Sequence, residues 1–264
     1  MRKIGRAPRI RRRSYVPYSR AVRKRRRRRR LFGVLLLALT LAAIGFFWYR
    51  DRTALTGTIV PQLPEGFDPS EVPPYSGEPF AEMNGGQPYF TEEERRTEPF
   101  ALYGELDALG RCTFAEACIG PEQLPEGDRG EISTVTPSGW HAVRCAEIDG
   151  GFLYNRCHLI AWELTGENAN ERNLITGTRH LNVEGMLPFE NRAASCIRMT
   201  GKHVLYRATP VFSGRDLVCR GVLLEAFSVE DQGNELSFCV FCYNVQPGFT
   251  IRYADGSVSR NGSL

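Results

Sequence analysis

The sequence predicts an α+β fold with a mostly antiparallel sheet flanked by helices and preceded by one transmembrane helix. The sheet is predicted by three β-rich runs toward the C-terminus, HVLYRATPVF, CRGVLLEAFSV and LSFCVFCYNV. Two helices are predicted before them, one capped by Thr178 and one opened by Pro188 and closed by Gly201. The transmembrane helix is predicted from the charge-free run between Leu31 and Tyr49.

The N-terminal region combines a basic tail with that apolar run. Residues 1–30 carry 16 of the 34 Lys and Arg side chains and no acidic residue. The 19 residues that follow are just long enough to cross a hydrocarbon core of ~30 Å as a helix. Dense arginine favours the cytoplasm, and the aromatic residues from Phe46 to Tyr49 suit the opposite interface. We therefore expect a single-pass protein of the cell membrane with a cytoplasmic N-terminus and an extracellular remainder.

Two alternatives concern the same segment. A cleavable signal peptide is disfavoured because a 30-residue basic preface and an uninterrupted 19-residue apolar run are both long for one. The basic tail is expected to attract anionic lipid. A nucleic-acid-binding tail is the other interpretation, and a cytoplasmic location would separate such a tail from the extracellular part.

Beyond the tail the chain is acidic. Residues 31–264 hold 34 − 16 = 18 basic and 30 acidic side chains, a formal charge of −12, so the net charge of +4 describes neither part. Residues 50–74 are rich in Pro, Gly and acids and lack periodicity, which predicts a stalk. Residues 75–264 fit the size of one domain.

All eight cysteines lie beyond the apolar run, where an oxidising environment allows disulfides to persist. Their even number permits up to four bridges with open connectivity, and Cys112 and Cys118 are a candidate local pair. Cys239 and Cys242 lie in a strand-like run, which favours buried or bridged structural thiols over a redox motif. A zinc site at Cys157 and His158 is disfavoured because the cysteine spacing matches no familiar zinc motif.

The middle of the chain predicts a strand, strand, helix order. HAVRCAEI and GGFLYNRCHLIAW form a candidate strand pair joined around Asp149-Gly150-Gly151, with His158 at the end of the second strand. After the loop GENANERN, the helix capped by Thr178 carries Asn182, and Glu190 falls in the first turn of the next helix.

These three side chains supply different chemical groups. His158 titrates near neutral pH and can accept a proton, Asn182 offers a neutral oxygen to a hard cation, and Glu190 can orient water. Together they predict metal-assisted hydrolysis. The competing interpretation is structural: we favour it for His141, His180 and His203, and helix or turn capping for Asn168 and Asn170.

Three short runs in this window are shared with a known family. They are the Arg-x-His element at Arg156 and His158, NLITGTRHLN at 173–182 and VEGMLPFEN at 183–191, with eight residues from Asn182 to Glu190. At these residues the chain resembles the DNA/RNA non-specific endonucleases of the ββα-metal, or His-Me finger, class, and within it the membrane-attached DNA-entry nucleases. The resemblance implies a ββα-metal fold and sequence-non-specific hydrolysis of phosphodiester bonds in DNA and in RNA, leaving 5′-phosphate and 3′-hydroxyl ends.

The same resemblance implies individual roles. His158 would be the general base, Asn182 the direct ligand of a single Mg²⁺, with Mn²⁺ as a substitute, and Glu190 the carboxylate that holds water at the metal. A planar guanidinium at Arg156 would grip phosphate. The outer metal shell would involve Asn173 and Asn155, and the remaining candidates for substrate contact are Arg144, Arg179 and Trp140.

Two departures from the family's Asp-Arg-Gly-His motif stand out. Asn155 replaces the acid, which removes a negative charge near the metal, and Cys157 replaces the glycine, which indicates that this position needs no positive φ. The tetrapeptide at 128–131, Asp-Arg-Gly-Glu, spells three letters of the motif but has no histidine, so it cannot provide the base.

The acidic charge opposes nucleic-acid binding, which normally depends on Lys and Arg. We therefore expect a local basic groove, and its candidates are Arg144, Arg156, Arg172, Arg179 and Arg192. The alternative function is a non-catalytic surface protein that binds nucleic acid or scaffolds an envelope complex. The sequence leaves the oligomeric state open.

Overall fold

The computed structural model describes residues 63–262. The basic tail, the predicted transmembrane helix at 31–49 and the first part of the predicted stalk lie outside the described residues. Within residues 63–262, no helix has both the length and the apolar character that a membrane span requires.

In the described part of the chain we number ten strands and two α-helices in chain order. The strands are β1 (Phe80–Glu82), β2 (Phe100–Tyr103), β3 (Ala115–Ile119), β4 (Tyr154–His158), β5 (Leu174–Thr178), β6 (Val204–Val211), β7 (Gly221–Ser228), β8 (Ser237–Tyr243), β9 (Phe249–Arg252) and β10 (Ser257–Arg260). The helices are α1 (Trp162–Thr165) and α2 (Leu187–Thr200), with a π-helical segment (Leu181–Met186) directly before α2.

Six strands form one antiparallel sheet in the order β1-β8-β7-β6-β3-β2. The three β-rich runs predicted near the C-terminus are its central strands β6, β7 and β8. Successive side chains of a strand face opposite sides, so Val222 and Leu224 enter the main core while Leu223 enters a second cluster. Every residue of β7 is buried because both faces of the sheet are covered.

One face is covered by α2 and by the pair β4-β5. Ala193, Ala194 and Ile197 of α2 join the main core with the inward side chains of the sheet. The opposite face is covered by the N-terminal part of the described chain, where Phe67 packs in a cluster with Leu223. Residues 63–74, which the sequence assigns to a stalk, therefore include part of the folded domain.

The predicted hairpin around Asp149-Gly150-Gly151 pairs differently from the expectation. The run HAVRCAEI meets the following chain only at an isolated bridge between Arg144 and Phe152. Strand β4 instead pairs antiparallel with β5, from Tyr154 opposite Thr178 to His158 opposite Leu174. The run LITGT is fully buried, so the partner of β4 is a core strand from further along the chain.

The two predicted helices form one continuous helical stretch. As predicted, the Thr178 hydroxyl caps its start, since Oγ1 accepts the Leu181 N–H at 2.9 Å. The π-helical turn donates Leu187 N–H to the Asn182 carbonyl, five residues back, and so accommodates Pro188, which has no N–H to donate. Gly201, at a φ of 69°, ends α2 as predicted.

The expected disulfides are absent: all eight cysteines, which lie between residues 112 and 242, are buried free thiols. The candidate pair fails because Cys112 belongs to the main core and Cys118 to a cluster on the other face of the sheet. Cys239 and Cys242 are likewise divided between two clusters on β8. Sequence spacing cannot reveal the face of a sheet on which a thiol lies.

Candidate active site

A cleft of about 640 Å³ lies beside β4, between α1, the start of the helical stretch and the loop at 129–142. Most of the sequence-predicted site residues line it: Trp140, Asn155, Arg156, His158, Arg179, Asn182 and Glu190. Two others, Asn173 and Arg144, do not line it. Strands β4 and β5 and the helical stretch that follows them bring the candidate base, metal ligand and carboxylate to this cleft. The predicted first strand, HAVRCAEI, is not one of these two strands.

His158 ends β4 and is held at both ring nitrogens. Nε2 lies 2.8 Å from the Asn168 carbonyl, and Nδ1 lies 3.0 Å from Nη2 of Arg129. A carbonyl oxygen only accepts a hydrogen bond and a guanidinium only donates. The ring is therefore neutral, with its proton on Nε2 and its lone pair on Nδ1.

The surroundings of His158 favour this neutral form. Burial lowers its pKa to about 4, because a charged imidazolium would lose its water, and the Arg129 cation lowers it further. The hydrogen bond to the Asn168 carbonyl acts in the opposite direction but is outweighed. His158 is thus ready to accept a proton throughout the neutral range.

Asn182 occupies the first turn of the π-helical segment and faces the cleft. Its backbone carbonyl accepts the Leu187 N–H, while its half-buried side chain lines the cleft wall. The Thr178 cap marks where this turn begins, four residues before Asn182.

Glu190 lies in the first turn of α2 and is 8% exposed. Burial raises its pKa to about 8, and the neighbouring carboxylate of Glu163 acts in the same direction, partly offset by Arg129. Glu163 belongs to α1, and its Oε1 is buried without a hydrogen-bond partner. Glu163 and Glu190 therefore bring two carboxyl groups to this end of the cleft, and one oxygen of Glu163 has no hydrogen-bond partner.

The residues present fit a divalent cation. Besides Glu163, Asn155 has a buried side-chain oxygen, Oδ1, without a partner, and it also lines the cleft. Orphaned oxygens are costly to bury, and a hard cation is the kind of partner that such oxygens bind. Asn182 would hold the ion directly, with Asn155 and Glu190 beside it.

Two N–H groups of the Arg156 guanidinium already donate hydrogen bonds within the protein, so they are not available to bind phosphate. Its Nε donates to the Val135 carbonyl at 2.5 Å and its Nη2 to the Ser133 carbonyl at 3.0 Å. The guanidinium also stacks on Trp140, 4.1 Å from the ring centroid. Arg156 therefore fastens the loop at 133–140 to β4 and presents only its remaining N–H groups to the cleft.

The other candidate arginines divide by position. Arg179 lines the cleft and is paired with the exposed Asp149 at 2.6 Å. Arg144 lies over Phe152, a residue of the cleft rim, at 5.3 Å. Arg172 pairs with Glu105 outside the cleft, and Arg192 packs over Phe189 and Phe238, also outside it.

Asn173 supports the site from behind the cleft. It is fully buried, its Oδ1 accepts the Ile160 N–H at 2.9 Å, and its Nδ2 donates to the Ile160 carbonyl at 3.0 Å. The side chain thus holds Ile160, the second residue after His158, and is placed to position the base.

The remaining histidines lie outside the cleft. His203 is paired with Glu230 and Glu122, and His141 contacts the Asp255 carbonyl at 2.8 Å. His180 packs edge-on against Tyr75. Cys157 lies within β4 without a positive φ, as its place in the motif predicted.

Sequence reasoning missed Arg129, Trp162 and Glu163, all of which line the cleft. Trp162 and Glu163 lie four and five residues after His158, on the short helix α1. Their position directly after the motif was the signal available in the sequence. Arg129 belongs to the tetrapeptide Asp-Arg-Gly-Glu, which has no histidine of its own. Only the folded structure shows that Arg129 contacts His158.

Comparison with known proteins places this geometry in a family. A family model described as DNA/RNA non-specific endonuclease matches residues 91–229, more than half of the chain. The chain belongs to the DNA/RNA non-specific endonuclease family. This confirms the resemblance found in the motif window and extends it over β2 to β7.

Other members of this endonuclease family are similar in sequence and fold. A deoxyribonuclease of Streptococcus dysgalactiae subsp. equisimilis is 34% identical, and the alignment covers 64% of this chain. This chain spans 63% of the length of that relative.

Solved structures of nucleases confirm the α+β fold with its mostly antiparallel sheet. NucA from Streptococcus agalactiae with bound magnesium is 26% identical with a TM-score of 0.60, over 68% of this chain and 86% of NucA. The Sda1 nuclease with bound zinc is 28% identical with a TM-score of 0.53, over 61% of this chain and 81% of Sda1.

Proposed function

We propose that this protein is a membrane-anchored, sequence-non-specific endonuclease that hydrolyses phosphodiester bonds of DNA and RNA. The carrying observation is the fixed tautomer of His158, whose Nδ1 lone pair faces a cleft shared with Asn182 and Glu190. Family membership and the deoxyribonuclease relative support the same reaction class.

In this proposal His158 is the general base. Nδ1 takes the proton of the attacking water, while the Nε2–H stays on the Asn168 carbonyl and keeps the ring in place. Burial holds the pKa of the ring well below neutral, so in nearly every molecule the ring is unprotonated at neutral pH.

A divalent ion held by Asn182 would supply Lewis-acid stabilisation of charge on the phosphate oxygens. We propose Mg²⁺, with Mn²⁺ as a substitute, and the magnesium found in NucA supports this choice, whereas Sda1 was solved with zinc. The orphaned oxygens of Asn155 and Glu163 and the buried Glu190 carboxyl group make this end of the cleft receptive to a cation.

The cleft arginines reconcile an acidic domain with an anionic substrate. Three arginines line it, Arg129, Arg156 and Arg179, and they offer cations to a phosphate despite the acidic charge of the domain. Aromatic side chains at Trp140 and Trp162 also line it and offer stacking surfaces that suit bases without regard to sequence.

The proposed location rests on the N-terminal sequence. Residues 1–30 would remain in the cytoplasm beside anionic lipid, 31–49 would span the membrane, and the folded domain would act outside the cell. The part of the chain between the span and residue 63 would tether the domain.

The test uses the full chain purified in mild detergent. Supercoiled plasmid and a structured RNA are incubated with Mg²⁺ or with EDTA, alongside the His158→Ala variant and His141→Ala as a matched control outside the cleft. We expect Mg²⁺-dependent cutting that His158→Ala reduces by at least about 10²-fold and His141→Ala leaves unchanged. Plasmid that is bound but stays intact with Mg²⁺ would instead identify a non-catalytic nucleic-acid-binding protein.

A further inference from the structure

Glu163 of α1 places its two carboxylate oxygens in different surroundings. Oε2 lies 3.9 Å from Nη2 of Arg198, an arginine of α2 whose side chain is 52% exposed. Oε1 is buried, and within residues 63–262 it has no hydrogen-bond partner. Glu163 also lines the candidate active-site cleft. The ion pair with Arg198 therefore accounts for one oxygen of Glu163 and leaves the other without a role.

The buried oxygen of Glu163 is one of two unpartnered oxygens in the cleft wall. Among the described residues that line the cleft, Asn155 Oδ1 is the other side-chain oxygen buried without a partner. An amide oxygen and an ionised carboxylate oxygen only accept hydrogen bonds, so neither can satisfy the other. Such acceptors are costly to bury unpaired. Water polarised by a divalent cation is a donor that would suit both.

The charge of the cleft also calls for a second acid. Arg129, Arg156 and Arg179 line the cleft, and each of them repels a cation. The side chains of Asn155 and Asn182 are neutral amides, so they can offer oxygen to an ion but cannot offset this repulsion. A cation in this cleft therefore depends on the carboxyl groups beside it.

Two carboxyl groups are near enough to act together. Glu190 enters the cleft from α2 and Glu163 from α1, and the charge of Glu163 acts on Glu190. Within residues 63–262, no three His, Cys, Asp or Glu side chains converge closely enough to hold an ion by themselves. Mg²⁺ usually keeps several of its waters when it binds to protein. This arrangement suits carboxylates that reach an ion through its water.

We propose that Glu163 is a second carboxylate of the cation site, whose Oε1 accepts hydrogen bonds from water held by the divalent ion and whose charge offsets the cleft arginines. Glu163 is thus a positioning residue for the ion, beside Glu190 and behind the direct ligand Asn182. This inference rests on the proposed function and adds to it a residue to which the sequence assigned no role.

The experiment measures the binding of Mn²⁺ to the full chain in mild detergent. The electron paramagnetic resonance signal of free Mn²⁺ gives the Kd, and melting temperatures in EDTA report stability without the ion. The variants are Glu163→Gln, Arg198→Met and the double variant Asn155→Asp with Glu163→Gln. Glu167→Gln is the matched control, because Glu167 follows α1 closely and does not line the cleft.

For Glu163→Gln we expect the Kd for Mn²⁺ to rise by about 10–100-fold, as for loss of a group that supports a metal from behind its direct ligand. The melting temperature in EDTA should stay at the wild-type value or rise, because an unpartnered buried charge is removed. The double variant should recover part of the affinity, since a negative charge returns to the same cleft. Arg198→Met and Glu167→Gln should bind Mn²⁺ as wild type does.

Three results would overturn the proposal. Glu163→Gln protein with the wild-type Kd shows that the carboxylate does not serve the ion. Equal losses of affinity in Glu163→Gln and Arg198→Met show that the residue acts only through its ion pair. Wild-type protein that binds no Mn²⁺ removes the site itself. If wild type binds Mn²⁺ but cuts no nucleic acid, the proposed function fails, and the affinities of the variants still decide the role of Glu163.

Discussion

Asn173 holds Ile160 through both ends of its amide, accepting the Ile160 N–H at 2.9 Å and donating to the Ile160 carbonyl at 3.0 Å. The Asn173 carbonyl also accepts the Leu159 N–H at 2.8 Å. A single buried residue thus fixes both positions that follow the proposed base, and His158 depends on it for its placement.

Asn173→Ala should therefore impair both stability and catalysis. We expect the free energy of unfolding to fall by about 1–3 kcal/mol, because the Ile160 N–H and carbonyl are left buried without partners. Cutting with Mg²⁺ should fall as well, through kcat. Denaturant titration and plasmid assays measure the two effects, and the exposed Asn191→Ala is the control; equal behaviour of the two variants would contradict this role.

The activity should persist on the acid side of neutrality. Since the pKa of His158 is lowered to about 4, the base stays unprotonated far below its ordinary value of 6.5. We expect kcat/KM to show an acid limb well below pH 6.5, measured with Mg²⁺ held at saturation. An inflection at pH 6.5 would mean that the ring titrates as though exposed.

Stability without metal should decline as the pH rises. The folded-state pKa of Glu190 is raised to about 8 from an ordinary value of 4.5, so the folded protein retains a proton that the unfolded chain releases. Its contribution is complete below pH 4.5 and is lost as the pH rises toward 8. Melting temperatures in EDTA between pH 5 and 8 should fall more steeply for wild type than for Glu190→Gln, and parallel curves would argue against a protonated Glu190.

The buried charge network on the sheet should be more important for stability than the exposed ion pairs. Arg207 donates to the fully buried Glu225 at 2.9 Å and also contacts Glu94 at 3.1 Å. Arg207→Met leaves Glu225 without its cation, and we expect a loss of about 3–5 kcal/mol in unfolding free energy. The control Arg220→Met breaks an exposed pair with Asp216 and should cost about 0–1 kcal/mol. Similar losses in the two variants would refute this ranking.

The cap at Thr178 should matter for the metal site more than for stability. Its Oγ1 accepts the Leu181 N–H and donates to the Val245 carbonyl at 2.6 Å, which fixes the turn that carries Asn182. Thr178→Ala should cost about 1 kcal/mol and raise the Mg²⁺ concentration needed for half-maximal cutting. Thr200→Ala, at the far end of α2, should leave that concentration unchanged, and a shift in both would indicate a general loss of stability.

Local sequence signals predicted a good part of the fold. Thr178 and Gly201 mark the two ends of the helical stretch because caps act within one turn. Alternating and β-branched runs located β6, β7 and β8. The pairing of β4 could not be predicted in this way. The turn signal at 149–151 is local, whereas β5, the strand that pairs with β4, lies further along the chain.

The sequence placed candidate site residues together where they share one short window. His158, Asn182 and Glu190 meet in the cleft because β4, β5 and the helical stretch are consecutive. The spacing of the motif could not reveal Arg129, because Arg129 lies on a separate loop at 129–135. Asn168 and Arg156 hold this loop through its Glu131 and Ser133 carbonyls. The sequence also could not predict that the cysteines are free thiols, because pairing depends on which face of the sheet each thiol occupies.

The unbridged thiols have a consequence for where the domain can fold. Burial raises the pKa of Cys112 and of Cys219 to about 12, so almost none of either is thiolate, the form that attacks disulfides and oxidants. These two thiols are therefore poor nucleophiles, and the described fold contains no disulfide that an oxidant would have to form. We therefore expect the described domain to fold in reducing and in oxidising solution alike.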